Sequence, residues 1–186
     1  MELNILDWFQ TLHTPILDKI MTSITKLGDA GIFWIILTLL FLIIPKMRKT
    51  GIIMAAALIM DLLICNIAVK NLAARTRPYD VNTSVQLLVA KLHDYSFPSG
   101  HTAASFASVT ALYLAGEKKL WKPALVLACL IAVSRLYLYV HYPTDVLAGA
   151  VIGILCGAAA SKLTEMAAAA REARRDSGPE IPVGKL

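Results

Sequence analysis

Apolar residues run along this chain in long uncharged blocks separated by short polar clusters. Gly31 to Pro45 is an uncharged stretch of 15 residues that stops at Lys46, Arg48 and Lys49. Gly51 to Val69 is a second block, interrupted by Asp61 and Asn66. His101 to Ala115 is a third, rich in Ala, Ser and Thr, and it ends at Gly116-Glu117-Lys118-Lys119. Pro123 to Val140 and Val146 to Ala160 complete the series. Each is near the lower length for a bilayer-crossing helix, about 17 residues, so flanking residues must complete the span. Thr14 to Gly28 sets Ile16, Leu17, Ile20, Met21, Ile24 and Leu27 at helical spacing with Asp18, Lys19 and Lys26 opposite. That segment reads as a sixth span in preference to a helix lying in the interface, because five spans leave an odd connection. Residues 1–12 add an interfacial helix with Trp8 and Phe9 as anchors. The pattern predicts an all-α fold, a polytopic membrane helical bundle of about six transmembrane helices.

Composition agrees with this picture. Of 186 residues, 57% are hydrophobic and only 17% are charged, and the mean hydropathy is +0.63. A soluble domain of this size carries more charge and fewer long apolar runs. The net charge of +5 sits beside apolar segments, so membrane topology explains it better than a nucleic-acid partner does. Cys65, Cys129 and Cys156 lie inside apolar runs without metal-ligand spacing and read as small buried hydrophobes.

Charge bias sets the orientation. The basic clusters at residues 46–49 and 117–122 belong in the cytoplasm, with the tail carrying Lys162, Arg171, Arg174 and Arg175 on the same side. A membrane domain over residues 1–165, with its core at 70–145, is followed by a cytoplasmic helical extension and disordered tail at 166–186. Residues 70–100 and 139–145 then face outward, and every polar cluster of chemical interest lies among them.

Three such clusters stand out: Lys70-x6-Arg77-Pro78, Pro98-Ser99-Gly100-His101, and Ser134-Arg135-x5-His141-x3-Asp145. Lys70, Arg77 and Arg135 are cations at the membrane boundary, where facing lipid would cost each roughly 2.5–3.5 kcal/mol at mid-bilayer. An anion with several oxygens satisfies them, and the guanidinium fork matches phosphate. Ser99 and Gly100 stand where a helix begins, so free N–H groups and close backbone approach favour phosphate there. An aspartate at position 145 accepting one ring N–H of His141 leaves the other nitrogen free to attack phosphorus, while His101 protonates the leaving oxygen and then activates water. The cations stabilise the phosphoryl oxygens, and the scheme needs no metal or cofactor.

The three clusters resemble, in order and without a missing position, the signature motifs of the type-2 phosphatidic acid phosphatase superfamily, which also includes bacterial acid phosphatases and vanadium haloperoxidases. The resemblance implies His141 as nucleophile, Asp145 as its partner and His101 as acid/base, with Lys70, Arg77, Ser99, Gly100 and Arg135 holding phosphate. It further implies a six-helix core and a lipid phosphate or diphosphate substrate. The short chain and minimal loops resemble bacterial members, placing it in a bacterial plasma membrane, and the topology lets the lipid tail enter between spans from the outer leaflet. The short chain is similar to the undecaprenyl diphosphate phosphatases; phosphatidylglycerophosphate, phosphatidic acid and lipid A phosphates are the alternatives.

Other readings stand beside this one. A hydrolase using Ser99, His101 and Asp145 leaves three cations and His141 without a task. A haloperoxidase would keep vanadate in the same cradle. An anionic-lipid binding or transport protein needs the cations but not the opposed histidines. Outside the motifs, His93 and Asp94 lie in the outward loop, where they read first as a solvated loop and second as contacts for a substrate head group. Asp61 and Asn66 read as structural polar groups in a span, and Arg75 as a partner for phosphate or for Asp80.

Overall fold

The computed structural model describes residues 1–176; the tip expected to be disordered, 177–186, lies outside the described residues. Helix α1 (Glu2–Gln10) is followed by α2 (Pro15–Gly28), which begins with a proline at its first turn and Thr14 as N-cap, its hydroxyl accepting from the Leu17 amide at 3.3 Å. A tight turn at Asp29–Gly31, with Ala30 and Gly31 at positive φ, reverses into α3 (Ile32–Ile43). Pro45–Met47 turns the chain into α4 (Arg48–Asp61). That helix widens into a π-helical stretch, Leu62–Val69, before the short α5 (Lys70–Ala73), which ends at Ala74 in the left-handed region. After α6 (Pro78–Val81) comes an irregular loop, then α7 (Gly100–Leu114), α8 (Trp121–Tyr137) and the long α9 (Pro143–Asp176).

Among the described residues, three helical stretches are long and apolar enough to cross a membrane by themselves: Pro15–Ile43, Pro45–Val81 and Pro143–Arg175. Large apolar side chains such as Ile36, Ile43, Ile59, Leu147 and Leu155 point outward from them. A surface of this kind belongs in lipid, where backbone groups must all be satisfied within helices. The expected all-α bundle is what the structure contains.

Helix α7 is the axis of the bundle and packs most extensively against α9, with α4 and α8 on its other sides. Small residues make this possible. Gly149, Gly153 and Gly157 recur every four residues along α9, and a Cβ at these positions would lie 2.6 Å from the Ser99 carbonyl, 2.3 Å from that of Ala103 and 2.7 Å from that of Ala107. Without a strong hydrophobic force between helices in lipid, such backbone approach is a main source of association. Polar groups along α7 are satisfied locally: Ser105 donates to the His101 carbonyl at 2.7 Å and accepts from the Trp34 indole at 2.9 Å. Trp34, Ile53, Met54, Leu112 and Ile131 fill the core around it.

A second cluster, Leu6, Tyr79, Tyr137, Leu138, Tyr139, Val140 and Tyr142, closes the end where the three motifs lie. Helix α1 lies over it. Its Gln10 amide donates to the Tyr137 carbonyl at 3.0 Å, and Asp7 accepts from the Tyr139 hydroxyl at 2.7 Å.

Candidate active site

Four segments converge at this end: the chain from α5 to α6, the loop into α7, the start of α7, and the turn joining α8 to α9. Two contacts fix their relation. The Ser99 amide donates to the Asp145 carbonyl at 3.0 Å, so the first turns of α7 and α9 are tied by their backbones. At Gly100, a Cβ would lie 2.3 Å from Asn66 Oδ1, so glycine lets the π-helical stretch abut the start of α7.

His141 occupies the turn between α8 and α9 and is 1% exposed. Its Nε2 lies 3.4 Å from an Arg77 nitrogen, and its Nδ1 lies 3.6 Å from Asp145 Oδ2. The latter separation is longer than a hydrogen bond, and Nδ1 has no closer partner. Burial, reinforced by the charges of Arg135 and Arg77, holds the imidazole below its ordinary range despite Asp145. That favours the neutral ring, whose unprotonated nitrogen keeps a lone pair. Asp145 is fully buried and bound on both oxygens: Oδ2 accepts from Ser96 Oγ at 2.5 Å and the Tyr142 amide at 2.9 Å, while Oδ1 accepts from Arg75 at 2.6 Å.

Arg75 also binds Glu2 at 2.5 Å and lies 3.8 Å over the Tyr142 ring. Its partners are thus Asp145, Glu2 and Thr144, and not Asp80, which faces Lys91 at 3.4 Å. The N-terminal helix thereby reaches the carboxylate behind the histidine.

Lys70 and Arg77 are both buried and both held by Asp94. Lys70 Nζ lies 2.5 Å from Asp94 Oδ2, and one Arg77 nitrogen lies 2.5 Å from Oδ1. Arg77 Nε donates to the Asp94 carbonyl at 2.8 Å, and its other donors reach the carbonyls of Tyr95 at 3.1 Å and Val140 at 2.7 Å. Burial opposes ionisation of Asp94, but hydrogen bonds and charge from Lys70 and Arg77 outweigh it and bring its pKa down to about 2. Asp94 therefore sits among the cations while its side chain stays 52% exposed on the loop; the solvated-loop reading lacked the pairing, not the exposure.

His101 projects from the first turn of α7, with Nε2 2.9 Å from Asp29 Oδ1 in the turn between α2 and α3. Arg135, on α8, donates to Thr25 Oγ1 at 2.5 Å and leaves its Nε without a partner. Ser99 stands at the N-cap position of α7, yet its hydroxyl makes no capping bond and accepts from Thr102 Oγ1 at 3.0 Å.

Two cavities meet here. One of about 610 Å³ is lined at its polar end by Lys70, Arg77, Asp94, Gly100, His101 and His141. It continues between α3 and α4 past Leu39, Leu42, Leu58, Ile59 and Leu62, with Asp61 and Asn66 also on its wall. The other, of about 630 Å³, is lined by Thr22, Thr25, Asp29, His101 and Arg135 among others. His101 belongs to both. Five of the expected residues thus share one cavity, Arg135 opens onto the neighbouring one, and Asp145 and Ser99 stand behind it. Asp94, Asp29, Ser96 and Glu2 were missed. An acidic residue seven positions before His101 in the outward loop was the available signal for Asp94; the others carry none in sequence.

The PAP2 superfamily model matches residues 50–168. The undecaprenyl-diphosphatase of Sulfolobus acidocaldarius is 33% identical over 74% of this chain and 66% of its own length. The undecaprenyl-diphosphatase BcrC of Bacillus subtilis is 31% identical over 78% of this chain and 74% of its own. Among solved structures, Aquifex aeolicus LpxE superposes with a TM-score of 0.76 at 30% identity, covering 87% of this chain and 94% of that one. The PAP2-type phosphatidylglycerolphosphate phosphatase from Bacillus subtilis gives 0.70 at 28% identity over 88% and 84%. The chain belongs to the PAP2 superfamily and, as a multi-pass membrane protein, to its lipid phosphatases.

Proposed function

We propose that this protein hydrolyses a lipid diphosphate, undecaprenyl diphosphate being the best candidate, through a phosphohistidine on His141. Nε2 attacks phosphorus as the bond to the leaving oxygen breaks, and His101 supplies a proton to that oxygen. Water then attacks the phosphohistidine, giving its proton to His101 and releasing inorganic phosphate. Lys70, Arg77 and Arg135 stabilise charge on the phosphoryl oxygens, the start of α7 at Ser99 and Gly100 assists, and Asp145, 3.6 Å from Nδ1, stabilises the positive charge that develops on His141. No metal takes part in this scheme. Residues 1–165 form the catalytic unit, with about six spans in a bacterial plasma membrane and the site on the extracytoplasmic face, opposite the basic 46–49 and 117–122 clusters.

The observation that carries this reading is the continuity of one cavity from His141, His101, Lys70 and Arg77 into an apolar groove between α3 and α4. A phosphate at one end and a hydrocarbon chain at the other describe a lipid phosphate. The names of the archaeal and Bacillus relatives favour a polyprenyl diphosphate. Similarity to phosphatidylglycerophosphatase B of Bacillus subtilis, 32% identical over 77% of this chain, supports a glycerolipid phosphate as the second reading.

The test is phosphate release by purified protein in chelator from undecaprenyl diphosphate, phosphatidylglycerophosphate, phosphatidic acid and lipid A. Fastest turnover on the first is expected, with an acid-labile phosphoprotein trapped from labelled substrate and lost in His141→Ala. Release that survives His141→Ala, or that requires a metal, overturns the mechanism. Absence of release from every lipid overturns the function.

A further inference from the structure

The cation cradle already holds an anion, and it is the protein's own. Asp94 presents two oxygens to Lys70 and Arg77 at the polar end of the lipid cavity, on the same wall as His141. Arg77 has five N–H donors, and the carbonyls of Asp94, Tyr95 and Val140, the Asp94 carboxylate and the His141 ring engage them all. A phosphoryl group can reach Arg77 in its fork geometry only by taking the place of the carboxylate. Asp94 is able to yield, because its side chain is 52% exposed whereas those of Lys70 and Arg77 are 7% and 2% exposed. It lies in the irregular segment between α6 and α7, where no helix fixes it.

Resting on the phosphatase reading above, we propose that Asp94 is a charge filter that keeps phosphodiester lipids out of the active site. Any membrane surface presents phosphodiesters in great excess over phosphomonoesters and diphosphates, and an empty pair of buried cations would bind them. A phosphodiester brings one negative charge, no more than the tethered carboxylate it must displace. A phosphomonoester brings about 1.5 to 2 near neutral pH, and a diphosphate more. Exchange of Asp94 for the substrate is therefore favourable for the groups the enzyme is to cleave and unfavourable for the surrounding lipid. Asp94 is in this sense a specificity-determining residue acting by competition, with its carboxylate leaving when phosphate arrives.

The experiment compares wild type with Asp94→Asn, which keeps the shape and removes the charge. Short-chain phosphatidylglycerol and inorganic phosphate are titrated by calorimetry into each detergent-purified protein. Loss of a partly exposed charge pair predicts phosphatidylglycerol binding about two- to fivefold tighter in the variant, with a similar gain for phosphate, because the same carboxylate must leave for either. Affinity for phosphatidylglycerol that is unchanged or weaker overturns the filter and makes Asp94 a support for the cradle. If the variant does not fold, wild type alone decides: phosphate should raise hydrogen exchange in residues 92–97 while phosphatidylglycerol leaves it unchanged. Exchange that falls or stays constant with phosphate also overturns the inference. Lipid phosphate hydrolysis by the same wild-type preparation reads the catalytic proposal separately. Turnover without the affinity change removes only the filter, and the affinity change without turnover removes only the hydrolase.

Discussion

Replacing Gly149 by alanine tests whether the seam between α7 and α9 sets the catalytic geometry. The new methyl carbon would start 2.6 Å from the Ser99 carbonyl oxygen and 3.3 Å from Thr102 Cβ, and ordinary contact begins at 3.4 Å. Backbone cannot rotate out of the way as a side chain can, so α9 must withdraw from α7 by between about 0.4 and 0.8 Å. The Ser99 amide bond to the Asp145 carbonyl lies at this same point, so the withdrawal moves His141 relative to His101. A misplacement near 1 Å can cost about a hundredfold in rate, which makes a kcat loss of roughly tenfold the expectation here. Overpacking should also destabilise by about 1–3 kcal/mol, seen as a lower melting temperature. The control is Gly116→Ala, where φ is 88° on the turn between α7 and α8, at the end of α7 away from the site. That variant should lose a similar stability and keep its kcat. Equal turnover by the two variants at matched melting temperature would refute the seam as a determinant of catalysis.

Removing Arg75 by alanine leaves Asp145 a buried charge with two donors, Ser96 and the Tyr142 amide, and leaves Glu2 with its Thr144 contacts alone. A loss of about 2 kcal/mol is expected, lowering the melting temperature by about 5 °C in detergent. Asp29→Asn should lower kcat several-fold with little change in KM, because Asp29 holds the ring of His101 and does not line the lipid cavity; an unchanged kcat contradicts that positioning. The pKa of Asp94 falls from 3.8 to about 2 on folding, so its contribution to stability is present above pH 3.8 and disappears as pH falls toward 2. Melting temperatures taken across that window should fall more steeply for wild type than for Asp94→Asn.

The all-α bundle was legible in the sequence because apolar blocks of bilayer length have few alternatives, and the three motifs stood out because their cations and histidines fall at the ends of those blocks. Ser99 and Gly100 do stand where α7 begins, and Pro143 opens the last helix. What could not be read was partnership across the fold. Asp94 looks like any acid in a polar loop until Lys70 and Arg77 are set beside it. The pairing of Arg75 with Asp145 joins residues 70 positions apart, and nothing local distinguishes it from a pairing with Asp80. Asp61 was read as structural, yet it stands on the wall of the lipid cavity with one oxygen unpartnered, because the helix turns that side of α4 inward.

Hydrolysis of a lipid asks two immiscible reagents to meet at one atom. On the mechanism proposed above, His101 is a partition wall with a face toward each: hydrocarbon would approach through the apolar chamber between α3 and α4, and the second chamber, beside Arg135 and Asp29, would give water its own corridor. A side chain so placed can hand a proton to the oily side in one half of a cycle and collect one from the aqueous side in the other, and neither reagent has to pass through the other's doorway.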